Sequence, residues 1–390
     1  MKHKIKLAAV CQQVRGVSYT PKDEKEVPTE GYIPILRANN IQEKLEFNDL
    51  IYVRSSKINN KQLLGVGDIL VCASSGSKHL VGKAAIFFSS PFSKISFGAF
   101  CKVVRPQNIY APYLFHFFNS AYYRHTISEI AQGANINNIR NEHLNNLDIY
   151  VPSELEQKRI AGILDKVQSL IALQKQQLEK LDLLVKSKFI DMFGDPITNP
   201  HHFGVSTLGE ICDVRDGTHD SPNYVLEGYP LITSKNVING KISLSEANLI
   251  SLADFNNINK RSKVDRGDIL LPMIGTIGNP ALVIETPNYA IKNMALIKFV
   301  IDSKCLNIYV LYLLRSTFLD NVVHNQQRGG TQKFLALKTI RSLPIPLPPI
   351  QLQTVFANFV KSVEQQKEVF ATRLSHLETL YKSLMQEYFG

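Results

Sequence analysis

The amino-acid sequence contains one amphipathic helix pattern twice, at a constant separation of 196 residues. From Ile160 to Met192, ten positions follow one another at alternating steps of four and three residues, and eight of them are apolar. The matching positions from Phe356 to Tyr388 form a second stripe in which only Lys367 is polar. Such a stripe is typical of a long helix that packs against a partner helix. Because both helices belong to one chain, the pattern predicts an intramolecular helix pair.

Start and stop signals flank the first of these helices. Ser153 is followed three residues later by Glu156, a capping-box sequence in which each side chain is expected to accept from a free backbone N–H. Gly194 is expected to end the helix in a left-handed conformation, and Pro196 prevents its continuation. The seventeen residues that end at Gly194 share seven identities with the seventeen that end at Gly390. The second helix is therefore predicted to follow the same design.

The apolar members of the two stripes are predicted to form the seam between the helices. They are Ile160, Leu164, Val167, Ile171, Leu178, Leu181 and Val185 in the first helix, and Phe356, Val360, Val363, Phe370, Leu374, Leu377 and Tyr381 in the second. Gln174 and Lys367 interrupt the stripes, where they either fix the register of the pair or reach solvent along their aliphatic stems. Chain order predicts an antiparallel pair, with about 36 helical residues spanning roughly 54 Å. The register itself stays open.

Each helix follows a block of sequence in which the same signals recur. The strand and turn from Tyr32 to Ile41 return at 230–237, the Gly67-Asp68 turn returns at 267–268, and the aromatic helix from Tyr113 to Ser120 returns at 309–316. A period this long indicates duplicated domains rather than a solenoid. The predicted fold class is α+β, with two pseudo-symmetric α/β domains separated by two long antiparallel helices that form a coiled-coil spacer. The predicted boundaries are 1–152 for the first domain, 153–199 for the central helix, 200–348 for the second domain and 349–390 for the last helix.

Charge and cysteine content restrict the class of partner and the compartment. Lys and Arg number 44 against 34 Asp and Glu, and this net charge of +10 favours a polyanionic partner. No apolar run approaches the roughly 20 residues that cross a bilayer. The first ten residues lack the apolar core of a signal peptide, so we expect a cytoplasmic protein without membrane contact. Five scattered cysteines without a C-x-x-C pair predict a reduced compartment and no structural metal site.

Several short motifs, taken together and in order, resemble the specificity (S) subunit of Type I restriction-modification enzymes. They are VPSELEQKRI at 151–160, FGDPITNP at 193–200, the DGTH sequence at 216–219, and LPIPLPP at 343–349 followed by Gln353. The second copy has Leu352 before its glutamine where the first has Glu156. With the domain order, the resemblance covers the whole chain.

The resemblance implies a function that spacing alone does not. Each α/β block would be a target recognition domain that reads one half of a bipartite, asymmetric site on double-stranded DNA. The helices would set the gap and dock two modification (methyltransferase) subunits, which bind S-adenosylmethionine and methylate one adenine in each half-site. Separate restriction subunits, driven by ATP and Mg²⁺, would cut unmodified DNA. The chain itself would catalyse nothing and would bind no cofactor.

Motifs for catalysis in this chain are incomplete. The strings SPNY at 221–224 and TPNY at 286–289 have Asn where an amino-methyltransferase motif needs a second proline, and a glycine-rich S-adenosylmethionine loop is missing. The loop at 76–84 has the wrong glycine spacing for a phosphate-binding loop, and Ala84 replaces the hydroxyl that would hold magnesium. The ten histidines show no pair at metal-binding helical spacing. We therefore predict a protein that is not an enzyme.

Sequence readout requires Arg, Asn and Gln side chains for base edges and Lys, Ser and Thr for phosphates, presented by loops. In the first domain the predicted DNA contacts are Arg37, Asn39, Asn40, Ser74, Ser75, Ser77, Lys78, Asn135 and Asn137. In the second they are Thr218, His219, Lys235, Asn236, Thr276, Lys292, Thr331, Gln332 and Lys333. Asn and Ser are also favoured in turns, so each of these residues has a structural alternative.

A second function class fits the same helix pattern. A scaffold whose two domains bind proteins would also hold them on a coiled-coil rod. The salt dependence of DNA binding distinguishes the two hypotheses. Protein contacts with phosphates release counterions, so the affinity for DNA falls steeply as the salt concentration rises.

Overall fold

The computed structural model describes residues 4–77, 80–133, 138–275, 277–300, 304–326 and 334–390. The chain divides into two compact units, the first formed by Met1–Lys175 with Thr372–Gly390 and the second by Gln176–Ala371. Each unit therefore contains one α/β block together with a part of both long helices.

The first α/β block consists of three sheets and three short helices. Its strands are β1 (Lys4–Lys6), β2 (Cys11–Arg15), β3 (Glu24–Lys25), β4 (Tyr32–Leu36), β5 (Ile51–Arg54), β6 (Ile69–Cys72), β7 (Ala84–Ile86), β8 (Ser96–Phe97), β9 (Cys101–Pro106) and β10 (Asp148–Tyr150). Its helices are α1 (Ala111–Phe118), α2 (Ala121–Gly133) and α3 (Asn141–Asn145), after which the long helix α4 (Glu154–Phe193) begins. The strand orders are β2-β9-β6-β7, β3-β5-β4-β8 and β1-β10.

The second block repeats this plan. Its strands are β11 (Gly204–Thr207), β12 (Asp213–Asp216), β13 (Tyr224–Val225), β14 (Tyr229–Ile232), β15 (Val237–Ile238), β16 (Lys241–Ile242), β17 (Asn248–Ile250), β18 (Ile269–Pro272), β19 (Ala281–Leu282), β20 (Ala290–Ile291), β21 (Met294–Lys298) and β22 (Pro344–Leu347). Its helices are α5 (Leu208–Ile211), α6 (Leu252–Ser262), α7 (Asn307–Leu314), α8 (Thr317–Gln326) and α9 (Leu337–Arg341), followed by the long helix α10 (Ile350–Phe389).

The predicted duplication is confirmed by the sheets and the long helices. The strand orders β12-β21-β18-β19, β13-β17-β14-β20 and β11-β22 match those of the first block. Both long helices have 40 residues and begin 196 positions apart. One difference is α6, which stands where the first block has the 3₁₀ turns Ser55–Lys57 and Asn60–Gln62. This replacement accounts for the change of the sequence offset from 196 to 200 before the Gly-Asp turn.

The predicted seam is buried to different depths along the helices. Ile160 and Leu164 are fully buried in a core that also contains Tyr113 and Phe389 of the same unit. In the second unit, Val185 and Phe356 lie in the corresponding core. The central seam residues are half-buried: Ile171, Leu178, Leu181, Phe370, Leu374 and Leu377. The helix ends bury more surface because they pack on their α/β block as well as on the partner helix.

The antiparallel pairing of the helices is confirmed in each unit. In the first unit, Gln168 Nε2 donates to the Tyr381 hydroxyl at 2.8 Å, and Lys175 Nζ lies 3.6 Å from a carboxylate oxygen of Glu378. Residues further along α4 thus contact residues nearer the start of α10. In the second unit the rings of Phe189 and Phe356 lie 5.5 Å apart.

The polar seam residue Lys367 helps to define the register. Its Nζ donates to Asp182 Oδ1 of α4 at 2.7 Å and to Glu364 Oε1 of its own helix at 2.8 Å. Burial acts to lower the pKa of Lys367, but the two carboxylates raise it above its ordinary value. A one-turn slip of the helices would separate this charge pair, so the structure favours the register role. The Oε1 atom of the other interrupting residue, Gln174, is buried and accepts no hydrogen bond from the described residues.

The start of α4 differs from the predicted capping box. Ser153 Oγ accepts from the Glu156 N–H at 3.4 Å, as expected. The Glu156 carboxylate does not return to the Ser153 backbone and instead pairs with both Nε and Nη2 of Arg159, at 2.8 and 2.7 Å. The second half of the prediction was wrong because a bidentate guanidinium competes successfully with a neutral N–H. The predicted end is confirmed: Gly194 has φ +71° and donates to Ile190 O at 2.8 Å.

Two buried glutamines connect the long helices to their α/β blocks. Gln157 Oε1 accepts from the N–H of Tyr110, the residue that caps α1, at 2.8 Å. Gln353 Oε1 accepts from the N–H of Leu306, the residue that caps α7, at 2.8 Å. Each Nε2 also donates to the carbonyl five residues earlier at 2.8 Å. The glutamines of the sequence motif therefore have a structural role, satisfying backbone groups that the helix ends leave free.

Removal of one of these glutamines is expected to destabilise its unit. Gln353→Ala leaves the Leu306 N–H and the Pro348 carbonyl without this partner, and we expect the free energy of unfolding to fall by about 2–3 kcal/mol. Urea unfolding of the purified protein measures the loss. Gln351→Ala is the matched control, because Gln351 is exposed on the same turn of the same helix. An equal loss in both variants would contradict the assignment.

Candidate nucleic-acid interface

In the first unit, the loops after β2, β4 and β6 meet the segment that joins β8 to β9. The Val17 N–H donates to the last residue of β8 at 2.8 Å, and the Gly98 N–H donates to the last residue of β4 at 2.9 Å. The Ser74 N–H donates to the carbonyl of Phe100 at 3.0 Å. These nonlocal hydrogen bonds bring together four stretches of the chain. We name them the first loop cluster: residues 16–19, 37–40, 73–77 and 98–100.

The second unit contains the same convergence. The Lys292 N–H donates to the last residue of β14 at 2.9 Å, the Asn293 N–H donates to Thr218 O at 3.0 Å, and the Met273 N–H donates to Asn293 O at 3.2 Å. The loops after β12, β14 and β18 thus contact the short connection between β20 and β21. We name these stretches the second loop cluster: residues 217–221, 233–236, 273–275 and 292–293.

A glycine permits the closest backbone approach in each cluster. A Cβ on Gly16 would lie 2.0 Å from Gly98 O, and a Cβ on Gly217 would lie 2.4 Å from Ile291 O. Side chains do not fit at such distances, so both positions require glycine. The Gly217 of the DGTH motif therefore serves to join a strand end of one sheet to the other sheet.

The clusters contain every predicted DNA-contact residue that the structure describes. In the first cluster these are Arg37, Asn39, Asn40, Ser74, Ser75 and Ser77, and in the second they are Thr218, His219, Lys235, Asn236 and Lys292. The remaining predicted residues lie outside the described part of the chain: Lys78, Asn135, Asn137, Thr276, Thr331, Gln332 and Lys333. Contact with DNA remains a prediction for all of them.

A 3₁₀ turn with a buried asparagine follows β4 and β14. In the first unit the turn is Ala38–Asn40, and Asn40 Oδ1 accepts from the Arg37 N–H at 2.8 Å. In the second it is Ser234–Asn236, and Asn236 Oδ1 accepts from the Thr233 N–H at 3.0 Å. Both asparagine side chains are buried. Of the two roles that the sequence left open for them, the structure favours turn formation.

Arg37 borders a cavity of about 500 Å³ in the first cluster. Its Nη2 donates to the carbonyl of Asp49 at 2.7 Å. Tyr19 and Phe100 also line the cavity, and Phe100 is 70% exposed. Burial raises the pKa of the Tyr19 phenol, and Glu24 adds to this, while the guanidinium of Arg37 acts in the opposite direction. Tyr19 and Phe100 were not predicted at this site, because aromatic residues near strand ends are more often part of the core.

The second cluster carries a different set of charges. Lys292 Nζ donates to Ser221 Oγ at 2.5 Å. The His219 ring lies between Asn293 Oδ1 at 2.9 Å and Asp216 Oδ2 at 3.0 Å, and these two hydrogen bonds raise its pKa. Asp216 also pairs with Arg261, a residue of α6 that sequence analysis did not select. No sequence signal links Arg261 to a residue 45 positions away.

The described residues contain no group of three His, Cys, Asp or Glu side chains placed to hold a metal ion. All five cysteines are buried. Burial raises the pKa of both Cys11 and Cys212 to about 12, so these thiols are protonated near neutral pH. Within the described part of the chain, no helix combines the length and apolarity that a bilayer span requires.

The turn after β4 offers a test of the structural asparagine. Asn40→Ala leaves the Arg37 N–H and the Asn48 carbonyl without their buried partner, and we expect a loss of about 1–3 kcal/mol in the free energy of unfolding. Asn39→Ala, in the same turn but exposed, should cost no more than about 0.5 kcal/mol. Urea unfolding of both variants makes the comparison. Equal losses would show that the turn does not depend on Asn40.

Two solved structures share this fold at low sequence identity. One is a chain from a study of the assembly and conformational transition of a type I R-M system, which matches with a TM-score of 0.60 over 99% of this chain and 97% of its own, at 15% identity. The other is the S subunit of a Type I restriction-modification system from M. genitalium, with a TM-score of 0.59 over 100% and 96% of the two chains, also at 15% identity. At this identity the likeness concerns the fold alone.

Relatives with higher identity occur among restriction enzyme subunits. The chain is 29% identical over 383 residues to the Type I restriction enzyme EcoKI specificity subunit of Escherichia coli K12, covering 92% of this chain and 80% of the relative. It is 38% identical over 182 residues to the StySPI specificity subunit of Salmonella potsdam, covering 46% of this chain and 39% of the relative.

A family model also matches the chain twice. Its description is the Type I restriction modification DNA specificity domain, and it covers residues 3–183 and 200–379. Each match contains one loop cluster, its α/β block and most of the long helix that follows. Since the two matches together extend over most of the sequence, the chain belongs to the Type I restriction-modification DNA specificity family.

Proposed function

We propose that this chain is the DNA-recognition subunit of a Type I restriction-modification complex, in which each α/β block reads one half of a bipartite target. The observation that carries the proposal is the loop cluster built twice by one hydrogen-bond pattern. The equivalent turns carry different residues, with Arg37 and Asn39 in the first cluster and Thr233 and Lys235 in the second. The half-sites are therefore expected to differ, and the target to be asymmetric.

The chemistry of the clusters suits duplex DNA. Arg37, Lys235 and Lys292 supply cations, and neighbouring serines and threonines supply hydroxyl groups. Cations and hydroxyls bind phosphate oxygens, while Arg and Asn pair with base edges. The net charge of +10 adds a general attraction to the phosphate backbone.

The paired helices supply the spacer and the docking surface in this proposal. Apolar side chains on their outer faces are unusually exposed, among them Leu183, Leu184 and Val369 in the second unit and Leu173 in the first. Exposed apolar groups of this kind favour a protein partner. We assign this surface, with the exposed Lys186-Ser187 and Lys382-Ser383 pairs, to two modification subunits. S-adenosylmethionine would bind to those subunits and ATP with Mg²⁺ to the restriction subunits, so this chain would contribute recognition without catalysis.

Binding to DNA in this role should depend strongly on salt. With about six to ten phosphate contacts, the affinity of the complex with the modification subunits should fall by about 10³- to 10⁵-fold between 50 and 200 mM salt. Equilibrium titration of labelled duplexes measures this slope. Footprinting should also reveal two protected patches on a preferred sequence. Uniform binding to every duplex would contradict sequence recognition, and absence of DNA binding would favour the scaffold hypothesis.

Lengthening the helix pair should change only the gap between the half-sites. Seven residues inserted after Lys175 and another seven after Ala371 preserve the seam, because a heptad returns each side chain to nearly the same face. The insertion adds about 10 Å of helix, or about three base pairs, to the preferred spacing. Sequencing of methylated adenines identifies the new target. The control carries the insertion in α4 alone, which misaligns the seam and should destabilise the protein; altered half-site bases in the double insertion would contradict the spacer role.

A further inference from the structure

The turns after β4 and β14 share one internal frame and differ in the residue at their first position. In both, a buried asparagine accepts from the N–H three residues earlier, and the same glycine-mediated approach holds the neighbouring loop. Arg37 stands at the first position of the turn in the first unit, where the second unit has Thr233. The Thr233 hydroxyl joins the frame by donating to Asn236 Oδ1 at 3.0 Å, whereas the Arg37 side chain leaves the turn and donates to the Asp49 carbonyl at 2.7 Å. Such a position is suited to determine sequence specificity.

The side chain of Arg37 is held in place but not neutralised. Its Nη2 donates to the Asp49 carbonyl, and its buried Nε has no acceptor among the residues that the structure describes. Within the described residues it forms no ion pair with a carboxylate. With Nε buried, the terminal nitrogens Nη1 and Nη2 are the part of the guanidinium that is left for a ligand. The hydrogen bond to the Asp49 carbonyl restricts the orientation of the guanidinium plane before a ligand binds.

The space beside Arg37 can admit part of a planar ligand. The cavity of about 500 Å³ has Gly98 on its wall, where no side chain narrows it, and Tyr19 and Phe100 beside it. Phe100 is largely exposed and offers an apolar face at the surface. An end-on guanidinium edge makes two parallel hydrogen bonds to the O6 and N7 acceptors of guanine in the major groove. A base that has a hydrogen-bond donor in place of O6 or N7 would place that donor against an N–H of the guanidinium, which is unfavourable.

We infer that Arg37 selects a guanine in the half-site read by the first domain, through a bidentate contact of its terminal nitrogens. This inference rests on the proposed function and adds the base and the atoms that recognise it. Thr233 is too short for the same contact, so the second domain reads its half-site through other groups. Arg37 is thus a specificity-determining residue and one source of the asymmetry of the target.

The experiment uses the complex of this chain with its modification subunits and a library of duplexes randomised at the target. Arg37→Gln should lose the preference for guanine at one position of one half-site, with a loss of about 5- to 150-fold for the original target. The other half-site should keep its preferred bases. Arg54→Gln is the matched control, because Arg54 is exposed in the same unit and its Nη2 meets Tyr32 outside the cavity.

A second measurement uses the unchanged protein. Replacing each guanine of the target in turn by 7-deazaguanine removes the N7 acceptor, and one guanine of the first half-site should show weakened binding. The Arg37→Gln complex should be insensitive to replacement of that same guanine. If no guanine in that half-site is sensitive, the inference is overturned even if the variant fails to fold.

Two further outcomes distinguish a failure of the inference about Arg37 from a failure of the proposed function. If Arg37→Gln weakens binding equally for all sequences and lowers the salt slope by about one, Arg37 contacts a phosphate and the inference is wrong while the proposed function stands. If the unchanged complex has no preferred sequence, the proposed function itself fails. Loss of guanine preference at one position, with the salt slope nearly unchanged, supports the inference.

Discussion

The structure depends on the burial of apolar side chains between α4 and α10, which come from widely separated parts of the sequence. Phe389 of α10 packs on Tyr113 of α1 in the first unit, with the ring centroids 5.1 Å apart. In the second unit, Phe193 of α4 packs on Tyr309 of α7 at 4.9 Å. Each α/β block therefore completes its core with a helix end that belongs to the other copy of the repeat. This exchange makes the helix pair part of both cores.

The two α/β blocks share the residues that build their loop clusters from inside and differ at other positions of the same turns. Gly16 and Gly217 permit the close approach of two sheets, while Asn40 and Asn236 form the turns from inside. These residues are buried or sterically required, so substitutions there cost stability. The exposed positions of the same turns carry no such constraint. The first position of the turn is half-buried in the first unit, where it carries Arg37, the proposed determinant of half-site specificity.

Much of the architecture could be predicted because its signals are local and periodic. The seam, the end of α4 at Gly194 and the duplication of the domains follow from residue spacings that recur in both halves of the sequence. The reciprocal capping box was wrong because Arg159, one turn further, provides a stronger partner for Glu156. Most of the predicted contact loops were placed together by the structure, although Tyr19, Phe100 and Arg261 had no comparable sequence signal.

The duplicated pair of α/β blocks and the two seam-forming helices could be predicted from the amino-acid sequence, since 3.6-residue periodicity and repeated turn residues are properties of neighbouring positions. The register at Lys367, the burial of Asn40 and the cavity beside Arg37 became known only from the folded chain. These features arise from hydrogen bonds and packing between segments far apart in the chain. Whether an asparagine in a turn faces the core or the solvent depends on the strands around it, and a single sequence does not contain that information.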